Sequence, residues 1–123
     1  MRRFIPIVKC KDLNESLSFY TKILDFELMP GESLDSPVID LVKEGAQIQL
    51  SIMPGDSVFG TAVNVEVDDV DSLFQKFMSR GLDVSHKKES PVHQGPIDQT
   101  WGMREFYVTD HNGNTLRFRK PSE

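Results

Sequence analysis

His86, His93, His111, Cys10 and Trp101 are the side chains best suited to coordinate, relay protons or stack in this 123-residue chain. Metal centres and hydrolytic sites need such residues at set spacings, for example His-x-His, His-Glu-x-x-His, or a nucleophile beside a histidine. None of those spacings occurs, and no glycine-rich phosphate loop is present. No residue is assigned a catalytic role. His111 adjoins an Asn-Gly turn and reads as a solvated turn residue. His86 and His93 flank Lys87-Lys88-Glu89-Ser90-Pro91 and read as surface residues, with a mobile rim over a cavity as the sharper reading of His93. Cys10 alternates with Val8 as a small core residue. As the one cysteine it can form neither an internal disulfide nor a cysteine-rich zinc cluster. Trp101 falls between a polar Pro- and Gly-containing segment, residues 90–100, and a strand-like run. That position places an indole at a cavity rim, where its face stacks on flat heteroaromatic groups and attracts cations. Packing a loop down is the alternative use of the same ring.

These residues sit in a chain of single-domain size. Lys and Arg number 14 against 19 Asp and Glu, a formal charge of −5. That balance opposes nucleic-acid binding, which relies on clustered basic residues, and suits a cationic or neutral ligand or simply solubility. No segment approaches the roughly 20 apolar residues of a membrane span. The opening residues carry Arg2 and Arg3, but Pro6 and Lys9 interrupt the apolar run, so no export signal is expected and the cytoplasm is the expected compartment.

A strand is expected over residues 4–10, then a helix from Asp12, where Asp12 and Glu15 form a capping-box pattern. Leu13, Leu17, Tyr20, Ile23 and Leu24 make its apolar stripe. Strands follow at residues 26–29, 38–42 and 47–53. The pattern then repeats: a strand at 62–67, a helix striped by Val70, Leu73, Phe74, Phe77 and Met78 with Gly81 as its C-terminal cap, and strands at 105–109 and 115–119 joined by Asn112-Gly113. A shift of 57 positions carries Asp12-Leu13 onto Asp69-Val70, Leu17 onto Phe74 and Tyr20 onto Phe77. A shift of 68 carries the Gly45 turn and residues 48–50 onto the Gly113 turn and residues 116–118. Two fused half-domains follow: one domain over residues 1–123, with module 1 at 1–53, a linker at 54–60 and module 2 at 61–123.

The repeat, with Ile5-Pro6-Ile7-Val8-Lys9-Cys10-Lys11-Asp12-Leu13, Ser18-Phe19-Tyr20, Leu24-Asp25-Phe26 and Tyr107-Val108-Thr109-Asp110-His111-Asn112-Gly113-Asn114, resembles the vicinal-oxygen-chelate superfamily of glyoxalases, bleomycin-resistance proteins and dioxygenases. The resemblance covers nearly the whole chain. It implies an α+β fold of two βαβββ modules forming a curved mixed sheet around a cavity. Pro6 inside the first strand and Trp101-Gly102-Met103-Arg104-Glu105-Phe106, similar to a Trp-Gly-Arg-Glu-Phe segment with one residue inserted, place it nearest the bleomycin-resistance group.

Enzymes of that superfamily hold a metal with two ligands per half, and the matching positions here are Ile5, Gln49, Ala62 and Arg117. Two offer no donor atom, Gln49 only a neutral oxygen, and Arg117 a positive charge that opposes a dication. No metal and no other cofactor is expected. Gln49 and Arg117 occupy equivalent cavity-facing positions, and each needs a partner, either a ligand or another residue such as Glu105 or Glu66. By resemblance, Trp101 stacks on the antibiotic's bithiazole. The family's second aromatic has no counterpart in residues 34–38, and Phe59 is its nearest substitute. Asp35 or Glu105 would draw a cation, while Met53 and Met103 line an apolar wall or serve as core. Pro6 implies a hinge at which the first strand crosses to a second subunit.

The expected function is metal-independent binding of a small, toxic or antibiotic compound in a groove between two subunits of a homodimer. Its ligand-binding residues would be Trp101, Gln49, Arg117, Asp35, Phe59, Glu105, Met103 and His93. A glyoxalase-like lyase or isomerase, or an extradiol dioxygenase, is the competing class, and a regulatory module for another metabolite is a third. Neither nucleic acid nor membrane is an expected partner.

Overall fold

The computed structural model describes residues 1–123. Its elements run β1 (Ile7–Lys9), α1 (Leu13–Ser18) continued by a wider π-helical turn (Phe19–Ile23), β2 (Glu27–Leu28), β3 (Val38–Lys43), β4 (Ala46–Ser51), β5 (Ala62–Glu66), α2 (Val70–Ser79), a 3-10 turn (Ser85–Lys87), α3 (Pro91–Gln94), β6 (Ile97–Asp98), β7 (Met103–Thr109) and β8 (Thr115–Pro121). They form two four-stranded mixed sheets of matching order, β1-β4-β3-β2 and β5-β8-β7-β6. In each sheet the first strand pairs parallel with the last and the others are antiparallel. The α+β architecture of two βαβββ modules is therefore present.

Two compact units are distinguished: Met1–Thr61 with Asp110–Asn114, and Ala62–Thr109 with Thr115–Glu123. In the first, Val8, Ile39, Leu41, Ile48 and Leu50 alternate onto one sheet face and are buried with Tyr20, Leu24 and Phe26. The second has an aromatic core. Phe106 stacks on Phe118 at 5.0 Å, and Phe74 and Phe77 of α2 meet these rings edge-on at 5.2 Å. Such edge and offset contacts suit the ring quadrupoles.

The helix starts fall where the capping chemistry places them. Asp12 accepts from the Glu15 amide at 3.1 Å and Asp69 from the Ser72 amide at 3.0 Å, each satisfying an otherwise orphaned donor. Gly81, at φ +104°, ends α2 with Leu82 N bonded to Phe77 O and Gly81 N to Met78 O, the Schellman pattern.

Two local expectations change. Pro6 lies just ahead of β1, because a residue without an N–H cannot donate to the ladder; its carbonyl instead accepts from Gln49 N at 3.0 Å. In the β7–β8 turn only Gly113 has positive φ, +81°, so the loop is a three-residue bulged hairpin and not the two-residue mirror-image turn. No helix is long and apolar enough to cross a membrane.

Candidate functional site

Alternation in the second sheet sends Phe106, Val108, Leu116 and Phe118 towards α2 and leaves Glu105, Tyr107, Thr109, Thr115, Arg117 and Arg119 on the opposite face. Register sets the partners. Glu105 lies opposite Arg119, Tyr107 opposite Arg117, and Thr109 opposite Thr115. Glu105 is only 2 % exposed and pairs with Arg119 Nε at 3.2 Å, while the Tyr107 hydroxyl reaches its other oxygen at 3.4 Å. The expectation that Glu105 neutralises Arg117 or faces a ligand thus gives way to a buried brace on Arg119. Arg117 instead lays its guanidinium over the Tyr107 ring, 5.1 Å from the centroid; its Nε, like that of Arg119, is buried without a hydrogen-bond acceptor, but Arg119 has the Glu105 carboxylate within ion-pair distance and Arg117 has none.

His93 belongs to this face and is neither a free surface residue nor part of a loose rim. The short helix α3, opened by Ser90 and Pro91, carries it to the sheet. Its Nδ1 shares a proton with Ser90 Oγ and its Nε2 with Thr109 Oγ1, each at 2.8 Å, and its ring meets Tyr107 edge-on at 5.7 Å. Burial, and secondarily the charge of Lys87, pushes its pKa below the ordinary histidine value. Burial, followed by the charge of Glu105, pushes the Tyr107 phenol up. His93 is a fixed, neutral strut.

Trp101 sits at the tip of the β6–β7 hairpin and is 58 % exposed. Gly102 N bonds to Gln99 O, Gln99 N bonds to Met103 O, and Gly102 takes φ +82°, which closes a tight loop with the indole displayed outward. A ring of this size facing water is a binding feature more readily than a core one. Met103, the next strand residue, is half-buried.

In the first unit, Gln49 lies between Ile7 and Asp40, and its amide donates to Asp40 Oδ1 at 3.3 Å. Asp35 is exposed along an open groove of about 450 Å³ that also includes Lys11, Asp12, Leu34, Ser36 and Ile52. Phe59 is half-exposed, but the ammonium groups of Lys9 and Lys11 lie 5.9 and 5.7 Å from its ring centroid. A cation-binding ring is already occupied there. Met53 is exposed, not core. His86 contacts Asp83 at 3.3 Å on the surface and His111 lies 3.8 Å from Glu15.

The residues at the superfamily's metal-ligand positions do not fit a metal ion. Ile5 precedes β1 and Ala62 begins β5, both without donor atoms; Gln49 is engaged by Asp40, and Arg117 is a cation. No group of three or more His, Cys, Asp or Glu side chains comes together elsewhere.

α3 and the buried Glu105–Arg119 pair were missed by the sequence reading. Ser90-Pro91 carried a signal for α3, since Ser at the cap followed by Pro at the first helical position favours a helix start. Nothing in the pattern distinguishes Arg119 from Arg117 as the partner of Glu105.

Two repeated βαβββ modules with parallel outer pairs define the glyoxalase-type paired-module class. The chain belongs to the Glyoxalase/Bleomycin resistance protein/Dioxygenase superfamily, whose family model matches residues 7–118. Among solved structures, a bleomycin-resistance determinant encoded on the transposon Tn5 is similar at a TM-score of 0.78 and 18 % identity, covering 100 % of both chains. A bleomycin-binding protein complexed with bleomycin matches at 0.76 and 18 %, covering 99 % of this chain and 100 % of its own. TnmS3, an antibiotic-binding protein from Streptomyces sp. CB03234, matches at 0.69 and 21 %, covering 99 % and 98 %. A search of curated protein sequences gives no significant match.

Proposed function

We propose that this protein binds and sequesters a small antibiotic-type compound bearing a flat heteroaromatic group, in a groove formed between two copies of the chain and without a metal ion. One observation carries the reading: Trp101 stands exposed on a rigid hairpin tip, an indole offered to a planar partner. Three further facts support it. The superfamily's ligand positions lack a usable donor set. The similar structures include a bleomycin-binding protein complexed with bleomycin and an antibiotic-binding protein. His93 and the Glu105–Arg119 pair are committed to holding the sheet, which leaves binding without an evident acid or base.

Protection by sequestration requires affinity and no bond-making step. Stacking on Trp101 would supply part of that affinity, with Met103 as the adjoining apolar contact. The groove between copies is part of the proposal and rests on Pro6, which has no N–H to donate and so sets a hinge point just ahead of β1.

Trp101 is the only tryptophan, so its emission reports the site directly. Titration with metal-free bleomycin is expected to quench it saturably with a dissociation constant of about a micromolar or tighter. Calorimetry on Trp101→Ala should show that binding lost. No quenching and no heat at saturating drug would reject bleomycin-type binding. Near-stoichiometric metal in the purified protein, with chelation abolishing a measurable activity, would favour the enzyme class instead.

A further inference from the structure

We infer that Arg117 is the anchor of an oxyanion-binding subsite on the open face of the second sheet, so that the compound held by this protein carries a carboxylate or a comparable planar anionic group. This rests on the small-molecule-binding reading above and adds a charge requirement to it. Arg119 is neutralised by Glu105, and Arg104 by Asp71 and Asp98 at 2.7 and 3.3 Å. Arg117 has no such partner. Its neighbours across the strands are Tyr107 and Asn64, neither of them acidic at neutral pH.

A half-buried guanidinium without an acceptor is an unusual expense, since polar groups removed from water are normally paired. Here the Tyr107 ring covers one face of the guanidinium. The ring attracts the cation but accepts none of its in-plane N–H bonds. Tyr107 is in turn held edge-on by His93, and both nitrogens of His93 are tied to Ser90 and Thr109. Arg117 therefore lies on a fixed aromatic support. Its fork-shaped set of donors matches the geometry of two coplanar oxygens.

The location gives the subsite a distinct place. Tyr107 lies four residues beyond Met103 on β7, about 13 Å along an extended strand. A ligand that stacks on Trp101 and reaches Arg117 must be elongated; a compact one would use Arg117 alone. The overall acidity of the chain does not oppose this, because the two carboxylates of the face, Glu66 and Glu105, both stand opposite Arg119 and neither stands opposite Arg117.

The test uses benzoate and its neutral isostere benzamide, titrated into the full-length protein and followed by amide chemical-shift changes. Benzoate should shift Tyr107, Arg117 and Thr115 and bind about tenfold more tightly than benzamide. In Arg117→Gln that preference should shrink to about twofold or less, while Arg117→Lys, which keeps the charge but not the fork, should retain part of it. An otherwise unchanged amide spectrum establishes that each variant is folded. Equal affinities for the two probes, a preference that survives Arg117→Gln, or no binding of benzoate would each overturn the subsite. Bleomycin quenching of Trp101, measured on the same sample, separates that failure from failure of the small-molecule reading itself.

Discussion

Two hairpin tips in this molecule share one backbone design and have opposite fates. Residues 99–103 and 110–114 both close with an N–H to O=C bond across the loop and a glycine at positive φ, Gly102 and Gly113. The second tip is welded in place. Asn114, 1 % exposed, donates to Lys9 O and Asp110 Oδ2 and accepts from the amides of Gly60 and Thr61. Asp110 in turn accepts from the buried Tyr20 hydroxyl at 2.8 Å. At the first tip no side-chain hydrogen bond holds Trp101, and its indole faces outward. Identical turn geometry thus serves architecture where polar side chains are buried and satisfied, and leaves an apolar ring uncovered, as the proposed recognition role of Trp101 requires, where they are absent.

The contrast can be broken at several points. Asn114→Ala removes four hydrogen bonds and strands several buried groups, and should lower unfolding free energy by about 3 kcal/mol in urea denaturation. A loss below about 1 kcal/mol would mean that the tip is not a structural weld. Tyr20→Phe removes one charge-assisted bond to Asp110 while keeping the ring, and should cost about 1.5 kcal/mol.

The His93 strut should be sensitive to acid. His93 has a depressed pKa in the folded chain, so as pH falls below about 6.5 the unfolded chain takes up the proton first. Stability attributable to His93 is full above that value and declines as pH drops through the folded pKa. His93→Asn should lack this component, which urea midpoints near about pH 5 and pH 7.5 would reveal; an unchanged slope would show that His93 is not held neutral. The smallest effect belongs to the other tip. Trp101→Ala should change stability by no more than about 1 kcal/mol, since more than half of the residue faces water. A larger loss would return Trp101 to the role of a packing residue.

Much of this was legible in the sequence because the cues are local. The junctions Asp12-Leu13 and Asp69-Val70, the Gly81 cap and the repeat itself follow from capping and periodicity, and they coincide with the helix ends. The exposure of Trp101 on a loop was also readable, from a polar segment meeting a strand. Partner choice was not. Arg117 and Arg119 share a sheet face, and only the β7–β8 register assigns Glu105 to one and the Tyr107 ring to the other. The same holds for His93, whose role depends on α3 delivering it to Thr109, and for Phe59, whose ring is taken by two lysines distant in sequence or loop.

The most direct test of the recognition tip is the indole Nε1–H resonance of Trp101 in a proton–nitrogen correlation spectrum, where one tryptophan gives one signal. Adding bleomycin should move or broaden that signal saturably while the Asn114 side-chain amide signals stay in place. An indole signal that does not respond at saturating drug would contradict the claim that the exposed tip is where this protein meets its ligand.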